Sequence, residues 1–333
     1  SGTLVVPGTT TIVAGANNVV LDDAANNFGI VAVTSAGTAT LVDVGAIDLG
    51  ASTVTTLNVT AGGNISDSGT IVASGTTTIV AGANNVVLDD AANNFGIVAI
   101  TSAGTATLVD VGAIDIGATT VTTLNITAGG AISDSGTIVA SGTTTIVAGA
   151  NNAVLDDAAN NFGTVAVTSA GTATLVDVDA IDLGASGVTT LNVTAGGAIT
   201  DSGNLAVTGT STFTSANAQS VTLNNSNTFA TVAFVASAGT LANVTIVDSD
   251  AIDLAALTLT GDLTVTAGGN ISDSGTLVVP GTTTLVAGTN TVILDDAANN
   301  FGTVAVTSAT TATLVDIDAI DLGTSGVTTL NVT

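Results

Sequence analysis

The stretch LDDAANNFG occupies residues 21–29 and returns unchanged at 88–96, 155–163 and 294–302. Adjacent carboxylates beside amide oxygens are the residue types that hold Ca2+, which takes about six to eight oxygen ligands, or that work as an acid–base pair on a glycoside. The candidate calcium ligands are Asp22, Asp23, Asp67, Asp89, Asp90, Asp110, Asp134, Asp156, Asp157 and Asp177. Counted from the Ala-Gly turns, Asp67, Asp89, Asp90 and Asp110 fall at similar offsets in successive stretches. If they align, their carboxylates stack about 5 Å apart, and charges that close repel, raise one another's pKa or recruit a cation. If the acids point outward at different corners, equivalent positions three rungs apart stand about 14 Å from one another. That exceeds the ~8 Å Debye length of physiological salt. Neither an EF-hand loop nor a glycine-rich calcium nonapeptide is present. The reading favoured is a solvated corner with loose counterion or Ca2+ association and no required cofactor.

The glycosidase reading fails. Catalysis needs one preorganised pocket, and these aspartates recur identically along the chain. The 333 residues include no Lys, Arg, His or Cys to act as nucleophile, base or anion clamp. No enzymatic activity is expected.

The 26 acidic residues are uncompensated, giving a formal charge of −26. Phosphate has no partner here, so nucleic acid is excluded. No apolar run is long enough to span a bilayer, and membrane insertion is not expected. The alphabet is chiefly Val, Ile, Leu, Ala and Thr for strands, with Gly, Asn, Asp and Ser for turns. At 46% hydrophobic, the chain can bury a large core and does not resemble a disordered acidic tail.

The elements that must position the aspartates follow from the period. LDDAANNFG recurs after 67 residues, TAGG marks the same step at Thr60, Thr127 and Thr194, and DSG does so at Asp67, Asp134 and Asp201. Units of about 1–67, 68–134, 135–201, 202–273 and 274–333 result, the fourth longer and with LNNSNTFA in place of the motif. Each unit divides into three coils of about 20–25 residues, with short strands and Ala-Gly turns, which is what a parallel β-solenoid requires. About fifteen coils at ~4.8 Å each give a length near 70 Å. In LVDVGAIDLG at 41–50, alternation points Val42, Val44, Ile47 and Leu49 inward and Asp43 and Asp48 outward. Phe28, Phe95, Phe162 and Phe301 are expected to plug the interior at equivalent places, with Asn26 and Asn27 as left-handed turn residues. Residues 274–333 track 1–60, and no polar cap is visible at either end. The whole of 1–333 is therefore expected to be one continuous all-β solenoid and a window of a longer array.

VDVGAIDLGASTVTTLNVTAGGNISDSG at 42–69, followed by TTTIVAGANNVVLDDAANNFG, resembles the repeats of filamentous-haemagglutinin-like bacterial exoproteins. The resemblance implies a right-handed parallel β-helix shaft in an extracellular or cell-surface adhesin. Contacts with cell-surface glycans or other cells would be made by regions outside this window. The partners expected of the shaft itself are other copies or further repeats. A passive adhesin shaft and a self-assembling filament or sheath subunit, stacked head to tail and bundled by calcium, both remain open. Threonine runs at Thr9, Thr76, Thr143 and Thr282 raise ice binding as a minor alternative. They return only every third coil, which breaks the face, and soluble β-formers explain them more simply.

Overall fold

Strand-forming residues at alternating positions, with Gly and Asn at the breaks, give the backbone little alternative to short extended segments. The computed structural model describes residues 2–333, and every regular element among them is a β-strand. The chain is a parallel β-solenoid of about sixteen turns of about 20 residues. It divides into two compact units: the chain up to Val165 with Ser169–Gly171, and Ala166–Thr168 with Thr172–Thr333.

In the first unit the register shows the winding. Ile47 pairs with Ile65, Ile65 with Val86, Val86 with Ala106, Ala106 with Leu124 and Leu124 with Thr144. The steps are 18, 21, 20, 18 and 20 residues, so a 67-residue repeat makes about three and a half turns. This is a half-turn more than the three coils expected. The extra half-turn lies in the strands Asn27–Asp43 and Asn94–Asp110, each continuous through a corner with half of its length in each of two sheets, A and B. Equivalent strands consequently change sheets from one repeat to the next. Ile47–Leu49 lies in sheet A, whereas Ile114–Ile116 lies in sheet B. The crossings from A to B form one edge of the coil and those from B to A form the other.

Period-2 alternation fills the interior. Ile47, Leu49, Ile65, Ile71, Val86 and Leu88 are all buried, and each such side chain contributes about 1.5–3 kcal/mol. Phe28, Phe95, Phe162 and Phe301 are buried too. The phase of residues 41–50 differs from expectation: Leu41, Asp43, Ile47 and Leu49 face in, while Val42 and Val44 face out. A carboxylate can take the inward place because two backbone N–H groups meet it there, as described below. The TAGG turns exist because rungs touch. A Cβ on Gly62 would lie 2.2 Å from the Val44 carbonyl oxygen. The Ala-Gly turns instead need a left-handed residue, and Gly82 has φ +63°.

The second unit is wound by the same rules. Ser186–Ala195 pairs with Leu205–Ser215, and Ile181–Leu183 with Ile199–Asp201. Its longer repeat is absorbed inside single turns. Val221 pairs with Val244, a step of 23 residues, and Val244 with Leu263, a step of 19. The interior there holds an aromatic cluster: the Phe213 ring lies 5.9 Å from Phe229, edge-on, and 5.8 Å from Phe234, stacked.

Candidate functional site: the aspartate corners

Five kinds of aspartate environment recur. The first is buried. Asp43 Oδ2 accepts from Phe28 N at 2.6 Å and Oδ1 from Gly45 N at 2.7 Å. Asp110 repeats this with Phe95 N and Gly112 N, at 2.6 and 2.7 Å. Asp248 takes Phe229 N and Asp250 N, and Asp316 takes Phe301 N and Asp318 N. Asp177 is equally buried and accepts from Asp179 N. Each carboxylate lies where the chain leaves one sheet and starts a loop; Asp43 and Asp110 tie that loop to the beginning of their own long strand, at Phe28 and Phe95. Burial pushes Asp110 upward from the ordinary carboxylate value, against the lowering by its Phe95 and Gly112 amides. Burial also raises Asp248, opposed by the Asp250 and Phe229 amides and assisted by the nearby Asp250 charge.

The second kind bridges turns. Asp67 ends the short strand Ile65–Asp67. Its Oδ1 accepts from Asp89 N at 3.0 Å, and its Oδ2 from Asp90 N at 3.3 Å and Asn93 Nδ2 at 2.6 Å. Asp134 does the same with Asp156, Asp157 and Asn160, and Asp273 with Asp295, Asp296 and Asn299. Asn93 is fully buried, and its Oδ1 accepts from Ile71 N at 2.7 Å. Asn26 is buried likewise, and neither it nor Asn27 has the left-handed backbone expected. In LDDAANNFG the second aspartate closes an Asx turn: Asp90 Oδ1 accepts from Ala92 N and from Thr70 Oγ1, and Asp23 Oδ1 from Ala25 N and Thr3 Oγ1. The first aspartate, in Asp22, Asp89 and Asp156, is exposed. The fifth kind, Asp48 and Asp115, faces outward from the short strands.

The structure thus brings Asp67 together with Asp89 and Asp90, and Asp134 with Asp156 and Asp157. It places Asp110 and Asp177 at separate buried corners. The carboxylates do not stack. Asp67 pairs in register with Leu49, Asp110 with Ala128, Asp43 with Ala61 and Asp48 with Ser66. Around Asp67 the converging groups are N–H donors, which suit an anion; a cation would need converging oxygens. Among the described residues no group of three or more acidic side chains is arranged to hold a metal ion. Sequence reasoning missed Asp43, Asp248 and Asp316. The signal was present as a constant Phe-to-Asp spacing, Phe28 to Asp43, Phe95 to Asp110 and Phe301 to Asp316, 15 residues each.

These corners repeat with the family period. Residues 1–35, 36–102, 103–169, 170–236 and 241–308 match the family described as "Repeats of unknown function (DUF5649)". The chain belongs to the DUF5649 repeat family. The family's units share the 67-residue period found here but start elsewhere in it, as any cyclic repeat allows. No curated protein and no solved structure matches the chain significantly.

Proposed function

We infer that this DUF5649 chain is a structural shaft, without catalytic activity, in an extracellular bacterial surface fibre or adhesin. The observation that carries this reading is where its polar side chains go. Asp67 accepts from the Asp89 backbone N–H and the Asn93 amide, Asn93 Oδ1 from the Ile71 backbone N–H and Asp110 from the Phe95 backbone N–H, so these groups are occupied within the coil, in repeat after repeat. Such groups stiffen a coil and leave it little with which to bind a substrate. The absence of Lys and Arg supports a place outside the cell, since trypsin-like proteases find no cleavage site. The resemblance to filamentous-haemagglutinin-like exoproteins supports the bacterial surface. Labelling intact cells with an antibody to the repeats, alongside sizing of the mature polypeptide on a denaturing gel, tests the reading. Surface label on a very large polypeptide is expected. Label only after lysis overturns the extracellular assignment, and a short polypeptide favours the self-assembling filament subunit.

A second reading rests on one observation. In the second unit Thr200, Thr222, Thr245, Thr264 and Thr284 stand in one register column over five turns of a sheet. They come from non-equivalent positions of the repeat, so the column is continuous where the threonine runs in the sequence are not. Such a ladder is what favours the ice-binding alternative. A thermal-hysteresis measurement decides it, and a null result at millimolar protein removes it.

A further inference from the structure

We propose that copies of this chain associate side by side, parallel and in register, by seating an aliphatic knob of one copy in an uncharged groove of the next. The half-turn left over in each repeat sets this up. In the first unit, the edge that crosses from sheet A to sheet B carries Asp67, Asp89, Asp90 and Asp110 on successive rungs. The other edge at the same levels is formed by Ala81–Asn85, Ser102–Gly104 and Gly117–Thr122, which hold no charge. One repeat later the two edges exchange roles, because equivalent strands have exchanged sheets.

The uncharged stretch contains a groove of about 400 Å³. Ala83, Ser102, Thr120, Val121, Thr122 and Val139 are among its ten lining residues, none of them charged. The same ten residue types recur 67 residues earlier, from Gly15 to Ser74, on the opposite edge. Val111 is 55% exposed at the tip of the loop that Asp110 anchors, and Val44 is 54% exposed at the equivalent tip. Val111 lies on the A-to-B edge. Along the chain its crossing falls between Ser102–Gly104 and Thr119–Val121, so it stands level with the middle of the groove on the other edge. Val44 stands level with the earlier groove in the same way, between Ser35–Gly37 and Ser52–Thr55.

Two copies placed side by side by translation alone therefore present Val111 to the neighbour's groove, and Asp89 and Asp90 to an uncharged surface. Pairing of like edges would oppose acidic block to acidic block, in a chain with no cation to relieve it. The contact is heterologous, so it propagates from copy to copy into a sheet. Each knob is a small contact, and the repetition of knobs along the chain supplies the avidity.

The chain has no cysteine, which permits a clean test. Val111→Cys and Thr122→Cys proteins are mixed and oxidised in about 0.5 M NaCl, where charge repulsion is screened within ~4 Å. The expected product is the mixed dimer, V111C protein disulfide-bonded to T122C protein, in at least about tenfold excess over either homodimer. In parallel, V44D/V111D should sediment as a monomer where the parent protein associates, with an unchanged circular dichroism spectrum. A dominant homodimer of the V111C protein, no cross-linking at all, or association that survives the double substitution overturns the proposal.

Discussion

Thr77 sits fully buried, and its Oγ1 has no hydrogen-bond partner. Its register neighbours are Leu57 and Val98. The same holds at Thr144, Ser211 and Thr283, and Ser211 and Thr283 each pair with a leucine and a valine. A hydroxyl withdrawn from water without a partner costs about 1–3 kcal/mol. Valine has nearly the same shape and replaces the hydroxyl with a methyl that the apolar neighbours can accept. Thr77→Val should therefore stabilise the fold by about 1 kcal/mol or slightly more, and T77V/T144V by about twice that, since sites far apart add. The control is Thr78→Val at the outward-facing neighbour, expected within about ±0.5 kcal/mol. Urea unfolding followed by far-ultraviolet circular dichroism reads the midpoint. An unchanged slope shows that the same surface is exposed. A fall in midpoint for T77V would refute the reasoning, since it would require the hydroxyl to have a partner, such as a buried water.

Three further outcomes concern stability, and a fourth concerns calcium. Asp110→Ala strands the Phe95 and Gly112 amides and should cost about 1–3 kcal/mol in urea unfolding, while the spectrum of the folded state is retained. Because burial raises Asp110 and Asp248 above the ordinary value of 3.8, the native state holds their protons more tightly than the unfolded chain does. Their contribution is thus fully present below 3.8 and is lost as pH rises through the raised native values. The urea midpoint should climb on acidification through that window, and Asp110→Asn should flatten the climb. Gly62→Ala forces a Cβ against the Val44 carbonyl and should cost at least about 1–3 kcal/mol, seen as a lowered melting temperature. Calcium titrated calorimetrically into chelator-treated protein should give weak heats that vanish in moderate salt. A saturable stoichiometry of one per repeat would instead reveal a specific site.

Much of the fold was legible in the sequence, because repetition exposes the period and alternation exposes the strands. The half-turn was not. It depends on Asn27–Asp43 and Asn94–Asp110 bending at Ser35–Gly37 and Ser102–Gly104 while staying paired throughout, so a Ser-Ala-Gly that reads as a break between coils is a bend within one strand. The inward phase of Asp43 was hidden for a related reason. Charge normally marks an outward position, and only the Phe28 and Gly45 amides, distant or inconspicuous in sequence, reverse that rule. The calcium candidates were grouped by offset along the chain, whereas register groups them by turn. Register sets Leu49 beside Asp67 and Ala128 beside Asp110.

The winding also bears on inheritance. Nearly identical 67-residue repeats invite unequal recombination, and gain or loss of one unit keeps every strand pairing available. It does not keep orientation. One unit is three and a half turns, so everything downstream of a single gain or loss is turned half-way round the axis; two units restore it. Insertions of a few residues within one turn, such as those in the fourth repeat, leave orientation untouched. A lineage can therefore drift in residue count almost freely, while the parity of its repeat number decides which side of the coil any downstream segment faces.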